Sequence, residues 1–157
     1  MRRTDKEITD QDLIDEILKK SEICRVAFSN DEFPYIVPFN YGYRDNALYF
    51  HSAGSGKKID LIRKNNKVCF EITQSSRIVK GKKACNWTTK YRSVIGFGSI
   101  EIITETSRKV RGLDIIMEHY GQKNTGRYDT HHLERLVILK LTIEQLSAKQ
   151  SGDWPYN

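Results

Sequence analysis

The sequence has no apolar run approaching the roughly 18 residues that a membrane-spanning helix needs, and its start, MRRTDKEITD, holds no apolar signal segment. A soluble, cytoplasmic protein is expected. Cysteine is scarce as well: three residues, at 24, 69 and 85, an odd count with no CxxC spacing. That excludes a disulfide framework and predicts buried free thiols in a reducing compartment. GxSxG, a GxGxxG following a strand, and a P-loop are all missing, so nothing nominates nucleophilic catalysis. The run His131–His132–Leu133–Glu134 does not have HExxH spacing and brings no clustered third ligand, so no metal is expected. There is no internal repeat, low-complexity tract or linker. The 157 residues read as one domain spanning 1–157.

Charge and apolar content are both present in useful amounts. The hydrophobic fraction is 38% and the charged fraction 29%, a balance suited to a folded chain. The net charge of +6 fits nucleic acid, a membrane surface or an anionic small ligand, and its distribution is more telling than its size. Segment 75–91, SSRIVKGKKACNWTTKY, is basic and carries two aromatics.

Apolar spacing predicts a helix over Thr9–Lys20, capped by Thr9 or Asp10. Short β-rich runs follow at 23–28, 34–43 and 47–52, separated by SNDE, RDN and a Gly/Ser turn. Residues 56–66 read as a short helix stopped by an Asn pair. Strand-like runs return at 67–73 and 92–103, Ser107–Tyr120 forms a second amphipathic helix with Gly121 as its C′ residue, and 122–132 is irregular. Residues 136–152 read as a closing strand. Strands joined mostly by short turns favour a mainly β antiparallel barrel with peripheral helices, about six to seven strands and two to three helices.

Within this frame, Lys57 and Lys58 open a helix after the small-residue loop Ser52–Gly56. Small residues admit backbone amides, the helix start adds a partial positive charge, and two ammonium groups complete an anion site. Pro38 cannot donate a ladder bond, so it belongs on an edge or at an irregularity. Asn40 offers both donor and acceptor. Gly96 and Gly98 thin a strand where another backbone or a ring comes close. Trp87 walls a pocket or packs at a subunit interface, and its nearness to Lys90 suggests a cation–π contact.

The blocks PYIVPFNYGYRDNALYFHSAGSGKKIDLIRKNNKVCFEI (34–72) and CNWTTKYRSVIGFGSIEII (85–103) resemble the pyridoxamine-5′-phosphate-oxidase-like superfamily, in its nitroimidazole-resistance branch. The resemblance implies an FMN-binding split β-barrel, homodimeric, with two flavin sites shared between subunits. FMN is the implied cofactor, with FAD as the alternative. Phosphate is implied at Lys57 and Lys58, although many relatives place an Arg ahead of the Lys where this chain has Gly56. Cofactor contacts are implied for Val37, Pro38, Asn40, Tyr41, His51, Ser52, Ala53, Trp87, Arg92 and Ser93, with His51 facing the ring or the substrate as the catalytic candidate.

The implied activity is FMN-dependent oxidoreduction of a nitroimidazole or another small electrophile, with no membrane or nucleic-acid partner. A non-catalytic flavin or haem carrier, and a nucleic-acid-binding barrel, are the competing readings.

Overall fold

Asp10 turns its carboxylate onto the amides of Asp12 and Leu13, and helix α1 (Gln11–Lys20) starts there rather than at Thr9. The computed structural model describes residues 3–122 and 128–153. After a 3₁₀ turn (Thr4–Lys6), strand β1 (Glu7–Ile8) precedes α1. Then follow β2 (Ile23–Phe28), β3 (Tyr35–Asn40), β4 (Gly42–Arg44), β5 (Ala47–Ala53) and helix α2 (Lys57–Lys64). The second half comprises β6 (Lys67–Val79), β7 (Thr88–Ile103), α3 (Thr106–His119), α4 (Thr130–Arg135) and β8 (Leu136–Ser151).

Among the described residues all eight strands belong to one antiparallel sheet in the order β3-β2-β6-β7-β8-β5-β4, with β1 pairing β8. Although β3 and β5 lie near opposite ends of that order, Phe39 of β3 meets Phe50 of β5 at 4.8 Å between ring centroids. The sheet therefore curls into a split barrel. Its interior is filled by alternate residues of each strand, among them Val26, Phe28, Phe70, Ile72, Val94 and Leu141, with Ile14, Ile17 and Leu18 of α1 packed on the same core. Helix α2 inserts Ile59, Leu61 and Ile62.

A second, smaller core lies outside the wall, where Ile115 and Ile116 of α3 cover Ala47, Tyr49, Ile103 and Ile138. Strand β5 is thus buried on both faces over Ala47–Phe50, which is why that stretch reads as a continuous apolar run. Gly121 (φ +84°) ends α3 as C′, its amide donating to Glu118.

The element counts exceed expectation. Strands β1 and β4 are two and three residues long, too short to carry a period of their own. Helix α4 falls in the stretch read as irregular, held by the Asp129 carboxylate on the amide of His132. The remainder of that irregular stretch, 123–127, lies outside the described residues. The larger difference concerns 75–91, which lies between the strands expected at 67–73 and 92–103. Strand β6 continues to Val79 and β7 starts at Thr88, and a register shift between Thr73 and Ser75 carries them into a long ribbon.

The cysteines also need correcting. Cys24 is buried, as expected, and that burial pushes its thiol pKa up. Cys69 is only half-buried and Cys85 is exposed on the ribbon's tip. Among the described residues no helix is long and apolar enough to cross a membrane, and no cluster of three His, Cys, Asp or Glu side chains forms. His131 and His132 face solvent beside Glu134 and Asp129.

Candidate functional site

The loop after β5 makes its turn at Gly56, whose φ of +103° is a conformation that side-chain-bearing residues rarely adopt. Gly56 is the N-cap of α2, and its carbonyl accepts from the amides of Ile59 and Asp60. The first turn of α2 begins with Lys57, exposed, and Lys58, half-buried. Lys57 does not dangle: its ammonium sits 4.8 Å over the Tyr35 ring at the start of β3. One contact thus joins the helix start to the edge strand. Positive charge, a helix N-terminus and a glycine turn converge there, the donor set that a phosphate monoester requires.

Strand β3 is the first strand of the sheet order, and among the described residues it pairs only with β2, which leaves its outer edge open. Pro38, exposed, sits on that edge, where a missing N–H costs no ladder bond. Val37 is half-buried and packs on the core. From Tyr35 to Asn40 the strand covers about 17 Å at ~3.3 Å per residue. Asn40 is exposed and its amide donates to the Tyr120 hydroxyl at 3.2 Å, which fixes the side chain. Tyr120 was not singled out from the sequence as a site residue, because only the docking of α3 against β4 and β5 brings it there.

Tyr41 points its side chain into the barrel. It is fully buried, its phenol donates to the Leu18 carbonyl at 2.7 Å, and its amide donates to Tyr120. His119 stacks on its ring at 4.6 Å. The side chain is part of the core.

His51 and Ala53 are exposed on β5, while Ser52 between them turns inward and donates its hydroxyl to the Ala53 carbonyl. Alternation along a strand imposes this split. The same rule separates Arg92 from Ser93. Arg92 is 6% exposed on the inner face, its Nε donating to Gln150 Oε1 at 2.7 Å, whereas Ser93 takes the outer face with Ile95 and Phe97. Of the pair implied at a flavin edge, only Ser93 faces outward.

Register shows how far apart these groups stand. Ser93 pairs with Lys149 of β8 and His51 with Ile138 of the same strand, eleven residues away. That is about 36 Å of strand. Ser93 instead adjoins the row Val94–Ile72–Cys24–Phe39, whose other end adjoins Asn40, about 14 Å away across three strand spacings. The residues singled out therefore form two groups: β3, the end of β5 and the start of α2; and the ribbon with Trp87 and Ser93.

Trp87 is 50% exposed, and its indole donates to the Gly81 carbonyl. The cation over its ring is Lys80, at 5.5 Å, and not Lys90, which pairs with Asp153. Gly96 does accommodate a ring, as its spacing suggested, but the ring is Phe70 of the core.

The outer face of β3, β2, β6 and β7 carries an apolar row set by the ladder: Ile36 beside Ala27, Ala27 beside Cys69, Cys69 beside Phe97. Ile36 is 60% exposed and Phe97 52%, with Ile95 and Ile23 near them on the same face.

The family model for pyridoxamine 5′-phosphate oxidase matches residues 10–150. Among solved structures, a candidate 5-nitroimidazole antibiotic resistance protein from Bacteroides thetaiotaomicron is 30% identical, with 91% of this chain and 85% of that one covered and a TM-score of 0.80. An FAD and heme binding protein from Mycobacterium smegmatis is 22% identical over 97% of this chain and 76% of its own, with a TM-score of 0.84; that likeness is one of fold. An uncharacterized protein of Rhizobium meliloti is 38% identical over 58 residues, and the match spans 38% of that protein's length.

Proposed function

The chain belongs to the pyridoxamine 5′-phosphate oxidase family, and from that premise we propose that it is a homodimeric FMN-dependent oxidoreductase acting on a small electrophilic substrate such as a nitroaromatic. The observation that carries this reading is the contact between Lys57 and Tyr35. It sets an anion-binding helix start at one end of an open-edged strand that is long enough to lie along a ribityl chain and ring. Lys57 and Lys58 would hold the phosphate, free backbone groups flanking Pro38 would face the ring's polar edge, and Asn40 would add a fixed amide. Bound flavin supplies hydride and electron transfer, so the protein need not contribute an acid–base pair of its own. His51, exposed on β5 at the same end of the barrel, would orient the substrate.

A second copy completes the arrangement. Ser93 is too far from the end of β5 to share one FMN with it in a single chain, so it would serve the partner's flavin. The apolar row through Ile36 and Phe97 supplies a face for that association.

The test compares FMN with riboflavin by fluorescence titration, alongside the absorption spectrum of the purified protein. FMN should bind much more tightly than riboflavin, and Lys57→Ala/Lys58→Ala should remove most of that difference while leaving the barrel folded. Equal affinity for the two flavins would refute the phosphate assignment, and a haem spectrum in place of a flavin one would refute the cofactor.

A further inference from the structure

Tyr120, the C-cap of α3, holds three groups with one hydroxyl. Its oxygen accepts from Asn40 Nδ2 at 3.2 Å and from the Tyr41 amide at 3.1 Å, and its proton goes to the Glu22 carbonyl. A phenol has one proton to give and two lone pairs to receive with, so this set uses all of it. The carbonyl of Glu22 can only accept, which settles where that proton lies. Beside it, His119 Nε2 lies 2.6 Å from the Ser21 carbonyl. Two consecutive residues at the end of α3 are thus fastened to Ser21 and Glu22, the pair that leads from α1 into β2.

This full use of the hydroxyl decides how Asn40 is turned. Reversed, the amide would set Oδ1 against an oxygen whose proton is already committed, acceptor facing acceptor. Only Nδ2 fits there. Oδ1 is therefore the open end of the amide, with no partner among the described residues. Asn40 is exposed and alternates with Phe39, which packs into the barrel, so it shares the outer face of β3 with Ile36 and Pro38. An acceptor fixed on that face selects a ligand that brings an N–H.

We propose that Tyr120 is a positioning residue that aims Asn40 Oδ1 at the N3–H of a bound flavin. The inference rests on the flavin reading above and adds to it the atom that is recognised and the residue that enforces the recognition. The pyrimidine edge of a flavin carries a single N–H between two carbonyl oxygens, so a fixed acceptor can meet it at one place. A freely turning amide would offer its nitrogen as readily and pair with either carbonyl. Held by Tyr120, it discriminates among these positions. Hydrogen bonds to ring nitrogens are among the means by which a protein orients and tunes such a cofactor.

The experiment titrates the purified full chain with FMN and with 3-methyl-FMN, in which a methyl group replaces the N3 hydrogen, followed by flavin fluorescence. Wild type should prefer FMN by roughly tenfold, and Asn40→Ala should bind the two alike. Tyr120→Phe should move the ratio most of the way from the wild-type value to that of Asn40→Ala. It should also melt lower, because it releases the Tyr41 amide and the Glu22 carbonyl. A merely structural Tyr120 would weaken both flavins together and leave their ratio at the wild-type value, which overturns the positioning role. Asn40→Ala keeps the other two bonds of Tyr120, so it should fold whether or not Tyr120→Phe does. A wild-type ratio in Asn40→Ala overturns the proposal by itself. Wild type that binds FMN and 3-methyl-FMN equally refutes this inference alone, whereas wild type that binds neither refutes the flavin reading and the inference with it.

Discussion

Arg92 and Ser93 are neighbours in sequence and opposites in environment, and this decides what each can do. The Arg92 guanidinium is buried, and its Nε donates to Gln150 Oε1 on β8. Replacing it with Ala leaves the Gln150 carbonyl without that donor and empties a buried volume. Arg92→Ala should lose about 2 kcal/mol of stability in urea denaturation, whereas Ser93→Ala, on the outer face, should change stability little. A stable Arg92→Ala protein with an altered flavin potential would instead place the guanidinium at the cofactor. Lys109 shows the same economy. It is 6% exposed, and its ammonium donates to the carbonyls of Leu133 and Leu136, tying α3 to the end of α4.

At the scale of elements, short strand β4 is held by its neighbours more than by its ladder. Tyr43 donates its phenol to Asp15 of α1 at 3.0 Å. Burial, reinforced by that bond to a carboxylate, raises the Tyr43 pKa from its usual 10.0 to about 12. A raised tyrosine favours the neutral phenol in the folded state. Its contribution is therefore complete below pH about 10, where the unfolded phenol is also neutral, and is lost as pH climbs through about 12. Tyr128, raised to about 12 by burial and by its bond to Asp114, adds to the same window. Stability measured by denaturant titration should thus decline between pH 10 and 12, and Tyr43→Phe should make that decline shallower without abolishing it. An identical alkaline slope in wild type and variant would show that the α1–β4 pin is not what titrates.

For the whole molecule, the outer face of the sheet is the feature that one chain leaves unresolved. Phe97, Ile95, Ile36 and Ile23 stand exposed on strands that are otherwise regular. Light scattering should return twice the 18.3 kDa chain mass. Phe97→Asp, which puts a charge in the apolar row but touches nothing in the barrel interior, should yield a folded monomer that has lost tight flavin binding. A monomer that keeps its flavin would refute the shared site.

Much of this protein is written locally. Period-two alternation marks β2 and the inner part of β7, helical spacing marks α1 and α3, and Asp10 and Gly121 mark helix ends, because each signal depends on residues within a turn or two of one another. The glycine turn at Gly56 and the helix start at Lys57 are equally local, and so were legible. What the sequence could not supply is whatever depends on curling the sheet. Closure brings Lys57 onto Tyr35, packs Tyr41 beneath His119 and puts Tyr120 beside Asn40. Register, through the shift between Thr73 and Ser75 on β6, aligns Arg77 with Lys90. A one-residue displacement of pairing moves a side chain to the opposite face, and that displacement is fixed by the packed core as a whole rather than by the strand that undergoes it.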